Sequence, residues 1–335
     1  IPMNFKRIDY KKYVSWLCLF AIVLLFSILS GRFRTFENAK TILRQVSING
    51  ILAVGLSFVM ISGGIDLSVG PLIGLTATLA GMLMVDYNVP VFPSCLIAIA
   101  VATLFGLFNG VSITITKMPP LISTLGMSYV VQGTAYLIHG GLPVRGFPES
   151  IQFIGQGYLG PIPVPIVIFV VIAVAGSFIL NKSTYGRSIY AMGSNYEASR
   201  LAGINVRKIQ ITVYTIAGML AGLGGVIMLS RMNAGQPGTG KDTSLDIVVG
   251  CILGGVSATG GEGSIVGLIG GVLMIGVLSN GMTILGLNEY YQLLMKGAVL
   301  VAAVGFDYYA RTKRAEKKSR IVHSADSAAV KAQSK

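Results

Sequence analysis

The sequence predicts an all-α, polytopic membrane helical bundle of about ten transmembrane helices. Three observations carry this expectation. First, 53% of the 335 residues are hydrophobic and only 12% are charged, against about 25% charged in a soluble domain, which excludes a soluble globular fold. Second, the apolar residues gather in ten runs, most of them near the ~20 residues that cross a ~30 Å hydrocarbon core. Third, 43 residues are glycine, well above the average share of about 7% and without a Gly-X-Y period. In a membrane, such a composition serves close helix packing and broken helices. The chain is read as one transmembrane domain over 1–310, followed by a basic, Ala/Ser/Lys-rich tail over 311–335 whose composition predicts disorder.

In chain order the predicted spans are 13–30, 46–62, 67–85, 94–115, 121–138, 164–180, 209–230, 245–258, 264–284 and 290–308. The first follows Lys6, Arg7, Lys11 and Lys12 but shows no small-x-small cleavage site, so it reads as an uncleaved anchor. With the N-terminus placed in the cytoplasm, the alternate connections carry eighteen Lys and Arg inside and seven outside. That asymmetry follows the positive-inside rule and predicts two cytoplasmic termini. It also accounts for the net charge of +13 without a nucleic acid partner. Arg32, Arg34, Lys40 and Arg44 run against the rule, which implies either an interfacial helix or a different placement of the first two spans. Cys18, Cys95 and Cys251 follow no disulfide or metal spacing, so they read as packing residues and no metal site is expected.

The longest polar connection is 181–208. Within it, Ser194 followed by Glu197 has the spacing of a capping box, and Gly203 supplies a left-handed stop. The loop is therefore expected to hold a helix of about two turns, too short to stand alone. Such a helix is either a knob for a soluble protein or an ordinary capped connector.

Two stretches carry glycine in the same order. Residues 53–74 contain Val54-Gly55, Gly63-Gly64, Val69-Gly70 and Gly74; residues 248–271 contain Val249-Gly250, Gly260-Gly261, Val266-Gly267 and Gly271. Either the bundle is duplicated, as transporters often are, or two glycine-rich segments are alike by chance. Five small-x3-small pairs, Gly70/Gly74, Gly106/Gly110, Gly218/Gly222, Gly250/Gly254 and Gly267/Gly271, are expected to allow close helix approach. Asp66 interrupts a long apolar stretch, where a charge costs about 2.5–3.5 kcal/mol on insertion scales. It is expected in a cytoplasmic turn with Ser68, bonding backbone donors at the start of the next helix, or else in gating or partner contact. For a polar solute, Asn109, Ser112, Thr114, Ser123, Thr124, Gln132, Thr134 and Asn280 are the in-span side chains able to line a wet path; Asn109, Thr124, Gln132 and Asn280 are the chosen set. Gly235 to Asp242 matches Gly-x4-Gly-Lys but has Asp242 where Mg²⁺ coordination needs Ser or Thr. It reads as an outer surface loop, touching a binding protein, and not as a phosphate site.

The segment from Glu197 through Ala198, Ser199, Arg200, Leu201 and Ala202 to Gly203 resembles the Glu-Ala-Ala…Gly coupling loop of permease subunits of bacterial ABC importers. Ser62 through Gly70, Gly254-Gly255-Val256-Ser257 with Gly260-Gly261-Glu262-Gly263, Asn280-Gly281, Leu285-Gly286 and Gln292 through Gly297 are similar to the ribose, xylose and arabinose type of monosaccharide permease. One departure is Ser244, before Leu245-Asp246, where the family usually has an acidic residue. The resemblance implies a permease of the bacterial inner membrane without a catalytic site, cofactor or nucleotide site of its own. It implies ATP and Mg on a separate cytoplasmic ATPase, a periplasmic sugar-binding protein, a second permease subunit and surrounding lipid as partners. It assigns Ser194, Glu197, Ala198, Arg200 and Gly203 to coupling, and Gly63, Gly64, Asp66, Ser68, Gly260 and Gly261 to turns or gating. Two other readings compete. An ion-coupled secondary transporter usually carries intramembrane charges, here limited to Asp246, Lys296 and Asp66; a permease for another small solute, such as an amino acid, shares the same architecture.

Overall fold

The computed structural model describes residues 10–302 together with 304 and 305. The expected tail over 311–335 lies outside the described residues. The helices, in order, are α1 (Tyr10–Leu29), α2 (Phe36–Ile61), α3 (Val69–Val85), α4 (Val91–Thr116), α5 (Pro120–Leu137), α6 (Gln152–Gln156), α7 (Val164–Lys182), α8 (Thr184–Ser194), α9 (Tyr196–Leu201), α10 (Val206–Met232), α11 (Thr243–Leu253) and α12 (Ile265–Ile284). A two-residue hairpin, Tyr158–Leu159 with Ile162–Pro163, precedes α7. The described residues form two compact units, one ending at Asn288 and one beginning at Glu289. The second unit is helical over 289–302 and at 304–305.

The all-α membrane bundle is as expected. Among the described residues five helices, α2, α4, α7, α10 and α12, are long and apolar enough to cross a membrane by themselves. The eighth predicted span, 245–258, is not a full helix. Its place is taken by α11, eleven residues long and so about 16 Å at 1.5 Å per residue. Gly254 and Gly255 end that helix, the latter at φ +81°, a conformation that costs an L side chain about 1–2 kcal/mol. The second span starts ten residues earlier than expected, at Phe36, so Lys40 and Arg44 lie within its helix. Thr35 caps α2, accepting a hydrogen bond from the Asn38 amide, and the helix then runs unbroken through the basic residues into the apolar run. Lys40 pairs with Glu37 at 2.9 Å, and the Arg44 guanidinium stands 4.7 Å from the Tyr158 ring centre.

The centre of the first unit is α2, buried at every position from Val46 to Ile61 except Asn49. Around it, the glycine pairs meet one another. A Cβ on Gly106 of α4 would lie 3.0 Å from the Cα of Gly218 on α10, and one on Gly110 would lie 2.7 Å from the Cα of Ile211. A Cβ on Gly254 would lie 2.6 Å from the Cα of Leu268, and one on Gly271 would lie 2.9 Å from the Cα of Gly254. Backbone thus packs on backbone along α4/α10 and α11/α12, which gains dispersion contact where hydrophobic transfer offers none inside lipid.

The remaining pair, Gly70/Gly74, packs on the 235–242 loop, which keeps Gln236, Lys241 and Asp242 at the surface but lays its glycines against α3. A Cβ on Gly74 would stand 2.8 Å from the Thr239 carbonyl oxygen, and one on Gly235 would stand 2.6 Å from that of Ala77. The segment therefore descends along α3, with Gly235 and Pro237 buried while Lys241 and Asp242 stay exposed. Its glycines are spacers for this approach, which explains their density without a phosphate.

Candidate functional site: the coupling loop and a buried polar turn

The loop between α7 and α10 folds into α8 and α9. Ser183 caps α8 by accepting from the Gly186 amide at 2.9 Å. Gly186, Ile189 and Met192 form the buried face of α8. Asn195, at φ −160° and ψ 104°, then breaks the helix, and its Oδ1 accepts from the Ala198 amide at 2.9 Å to start α9. The capping box on Ser194 is thus corrected by one residue. Ser194 closes α8, donating to the Tyr190 carbonyl at 2.8 Å, because the extended residue that a cap requires is Asn195. Glu197 does not reach back; its Oε2 accepts from Arg200 Nε and Nη2, each at 2.9 Å. Gly203 sits at φ +82° and its amide bonds the Arg200 carbonyl at 3.1 Å, the expected stop.

The result is a two-turn helix whose Tyr196, Glu197, Ala198, Arg200 and Leu201 are all exposed. Leu201 keeps 77% of its surface open. Beside it lies a groove of about 790 Å³, bordered by Lys117, Met118, Tyr196, Glu197, Arg200 and Arg207 among others. Three cations and one paired carboxylate give the groove a basic rim, and an apolar knob with a charged border is the composition of a protein contact surface.

The second group surrounds Asp66. Gly63, at φ +92°, turns the chain out of α2, and Gly64 packs against the Tyr214 hydroxyl of α10. Asp66 is wholly buried. Its Oδ1 accepts from the Ser68 amide at 2.8 Å and the Ser68 hydroxyl at 2.6 Å. Asn109 of α4 donates to the same hydroxyl at 2.9 Å. Thr124 of α5 donates to the Ile65 carbonyl at 3.1 Å and accepts from the Leu67 amide at 3.3 Å. Ser244 at the start of α11 donates to the Leu67 carbonyl at 2.7 Å and accepts from the Gly70 amide at 2.9 Å. Side chains from three helices therefore hold residues 65–70.

The turn itself opens at Gly63, which is exposed, but the Asp66 side chain points inward and is buried. Asn109 stands seven residues before the end of α4, about 10 Å along the axis, so the carboxylate is sunk into the bundle. The predicted bond to backbone at the start of α3 is present at Ser68. Two residues chosen for the path, Asn109 and Thr124, are engaged here. Asn280 donates to Asn38 Oδ1 at 2.9 Å, joining α12 to the start of α2, while Gln132 is half-buried on α5. In the sequence Ser244 stands out only as a departure from the family pattern; Tyr214, in an apolar run, looks like packing, and Tyr190, in the polar connection, carries no motif.

The two glycine turns meet. A Cβ on Gly260, itself at φ +90°, would lie 2.8 Å from the Cα of Gly63, and the Gly261 amide donates to the Ile61 carbonyl at 2.8 Å.

A multi-pass helical bundle with glycine-packed broken helices and a protruding short helix defines a membrane permease component. Residues 38–304 match the family model described as branched-chain amino acid transport system, permease component, and the chain belongs to that family. It is 38% identical to the ribose import permease protein of Bacillus subtilis, over 90% of this chain and 95% of that protein. It is 38% identical to the ribose import permease protein of Escherichia coli K12, over 89% and 93%. A xylose transport system permease protein of Haemophilus influenzae is 30% identical, over 90% and 97%. No solved structure matches the chain.

Proposed function

We propose that the chain is the transmembrane subunit of an ATP-driven importer of a monosaccharide in the bacterial inner membrane, with both termini in the cytoplasm. The observation that carries the coupling part is α9: a two-turn helix with Glu197, Arg200 and Leu201 exposed beside a basic groove. In this reading a cytoplasmic ATPase grips α9, and ATP and Mg act on that partner. A periplasmic binding protein delivers the sugar at the opposite end. A second permease copy meets α5, of whose residues only Thr124, Val131 and Ala135 are buried. Gly126 and Gly133 there have no neighbour within 4 Å of a built Cβ, and small exposed residues in a membrane helix suit helix contact better than lipid. Gln132, on the same helix, is the side chain retained for the path. The sugar assignment follows the names of the ribose and xylose relatives; the family description names amino acids instead.

Reconstitution with its ATPase and binding protein tests the reading. Labelled pentose uptake that requires both partners and ATP is expected, with none for leucine. Uptake without the ATPase, driven by an ion gradient, would overturn it. Replacement of Glu197 or Gly203 is expected to release the ATPase or to abolish uptake; intact association and uptake in both variants would remove α9 from the coupling role.

A further inference from the structure

A two-turn helix such as α9 has too little buried surface to move a bundle by itself. What it is fastened to decides where a push on it goes. Immediately before Asn195, α8 touches three other parts of the chain. The Cα of Gly193 lies directly against the Ile61 carbonyl at the end of α2, so closely that a Cβ would collide with that oxygen and stand 2.6 Å from the Gly261 amide. The same carbonyl accepts from Gly261 at 2.8 Å. Three residues earlier, on the same face of α8, the Tyr190 hydroxyl donates to the Gly263 carbonyl at 2.8 Å. At the start of α8 the Tyr185 hydroxyl is hydrogen-bonded to Thr212 of α10. Thus α8 is fixed to α10 at one end, and at the other to both turns of the two similar segments, 53–74 and 248–271.

We infer that α8 is a rigid strut, and that Gly193 and Tyr190 are positioning residues that pass a displacement of α9 to both glycine turns together. The physical basis is the kind of contact. Side chains in contact can change rotamer and absorb a small shift, whereas Gly193, Ile61 and Gly261 meet through backbone atoms, which have no rotamers. Ile61 and Gly261 are already tied by a hydrogen bond, so one contact moves α2 and the α11–α12 connection as a unit. A close-packed contact of this kind does not deform continuously, so a small local shift is passed on and not absorbed.

This inference rests on the reading of α9 as the ATPase contact, and the experiment separates the two. Wild-type permease, Tyr190→Phe and Gly193→Ala are each purified with the ATPase and reconstituted, and three quantities are measured: ATPase retained, ATPase stimulation by sugar-loaded binding protein, and uptake. The clasp predicts wild-type retention and unstimulated ATPase activity in both variants. Stimulation and uptake are expected to fall about fivefold in Tyr190→Phe and at least tenfold in Gly193→Ala. Tyr190→Phe removes one hydroxyl without adding volume, so it keeps the test open where Gly193→Ala does not fold. Wild-type stimulation and uptake in Tyr190→Phe overturn the clasp. Loss of the ATPase from Tyr190→Phe also overturns it, since the residue would then act in docking. Failure of wild-type permease to retain the ATPase overturns the α9 reading itself.

Discussion

Gly63 and Gly260 touch through their backbones: the Cβ that Gly260 lacks would stand 2.8 Å from the Cα of Gly63, and both residues have φ near +90°. Both glycines make a left-handed turn, and Gly260 in addition leaves no room for a side chain, whereas a Cβ on Gly63 would come no closer than 3.8 Å to a neighbour. The two segments with the same glycine order thus meet at their Gly-Gly pairs.

Alanine at either position is expected to be costly. The left-handed backbone alone contributes about 1–2 kcal/mol, and at Gly260 the added methyl meets backbone that cannot rotate away. Gly126→Ala is the contrast. That residue is helical in α5 with nothing of its own subunit within 4 Å of a built Cβ, so alanine there should stabilise the single, detergent-separated subunit by about 0.5–1 kcal/mol, whatever it does to the contact with a second copy. Thermal unfolding in detergent should lower the midpoint for Gly63→Ala and Gly260→Ala and leave it unchanged or raised for Gly126→Ala.

At Asp66 the shape and the charge of the side chain are separable. Asn keeps an Oδ1 to accept from the Ser68 amide and hydroxyl, and it removes a buried charge. Ala leaves two buried donors without an acceptor, a loss of about 1–3 kcal/mol for each. Asp66→Asn is expected to accumulate in membranes at wild-type level, and Asp66→Ala at a fraction of it. Equal loss in both would mean that the charge itself is required.

Ser244 bonds α11 to the first turn of α3 through two hydrogen bonds. Ser244→Ala should destabilise the bundle by about 1–3 kcal/mol, the cost of an unsatisfied buried group. Ser244→Asp places a bulkier charged group where a Cβ on Gly70 would already lie 2.5 Å from the hydroxyl, and should be worse. Denaturant titration of the two variants gives the order.

Asn280 and Gln132 should part company. Asn280→Ala breaks the bond to Asn38 and is expected to lower stability by about 1 kcal/mol, with uptake per folded molecule unchanged. Gln132→Ala, on an open face of α5, is expected to reduce uptake severalfold with unchanged stability. Uptake normalised to folded protein, measured for both variants, checks the pair.

Much of the architecture was legible because lipid leaves few solutions. Length and hydropathy set the helices, and spacing of small residues marked Gly106/Gly110 and Gly218/Gly222 as contact sites. The stop at Gly203 was legible because its cause is local. The cap was missed by one residue, since Ser194 and Asn195 are both competent caps and only the packing of α8 against Ile61 and Gly261 selects the second. Asp66 shows the wider limit. Its type and spacing predicted a bond to the start of α3, but its depth depends on Asn109, Thr124 and Ser244, contributed by three other helices. The sequence by itself determined which segments enter the membrane and which glycines must lie close to something. Tertiary structure alone decided what they lie close to, because a missing side chain marks a gap without naming the neighbour that fills it.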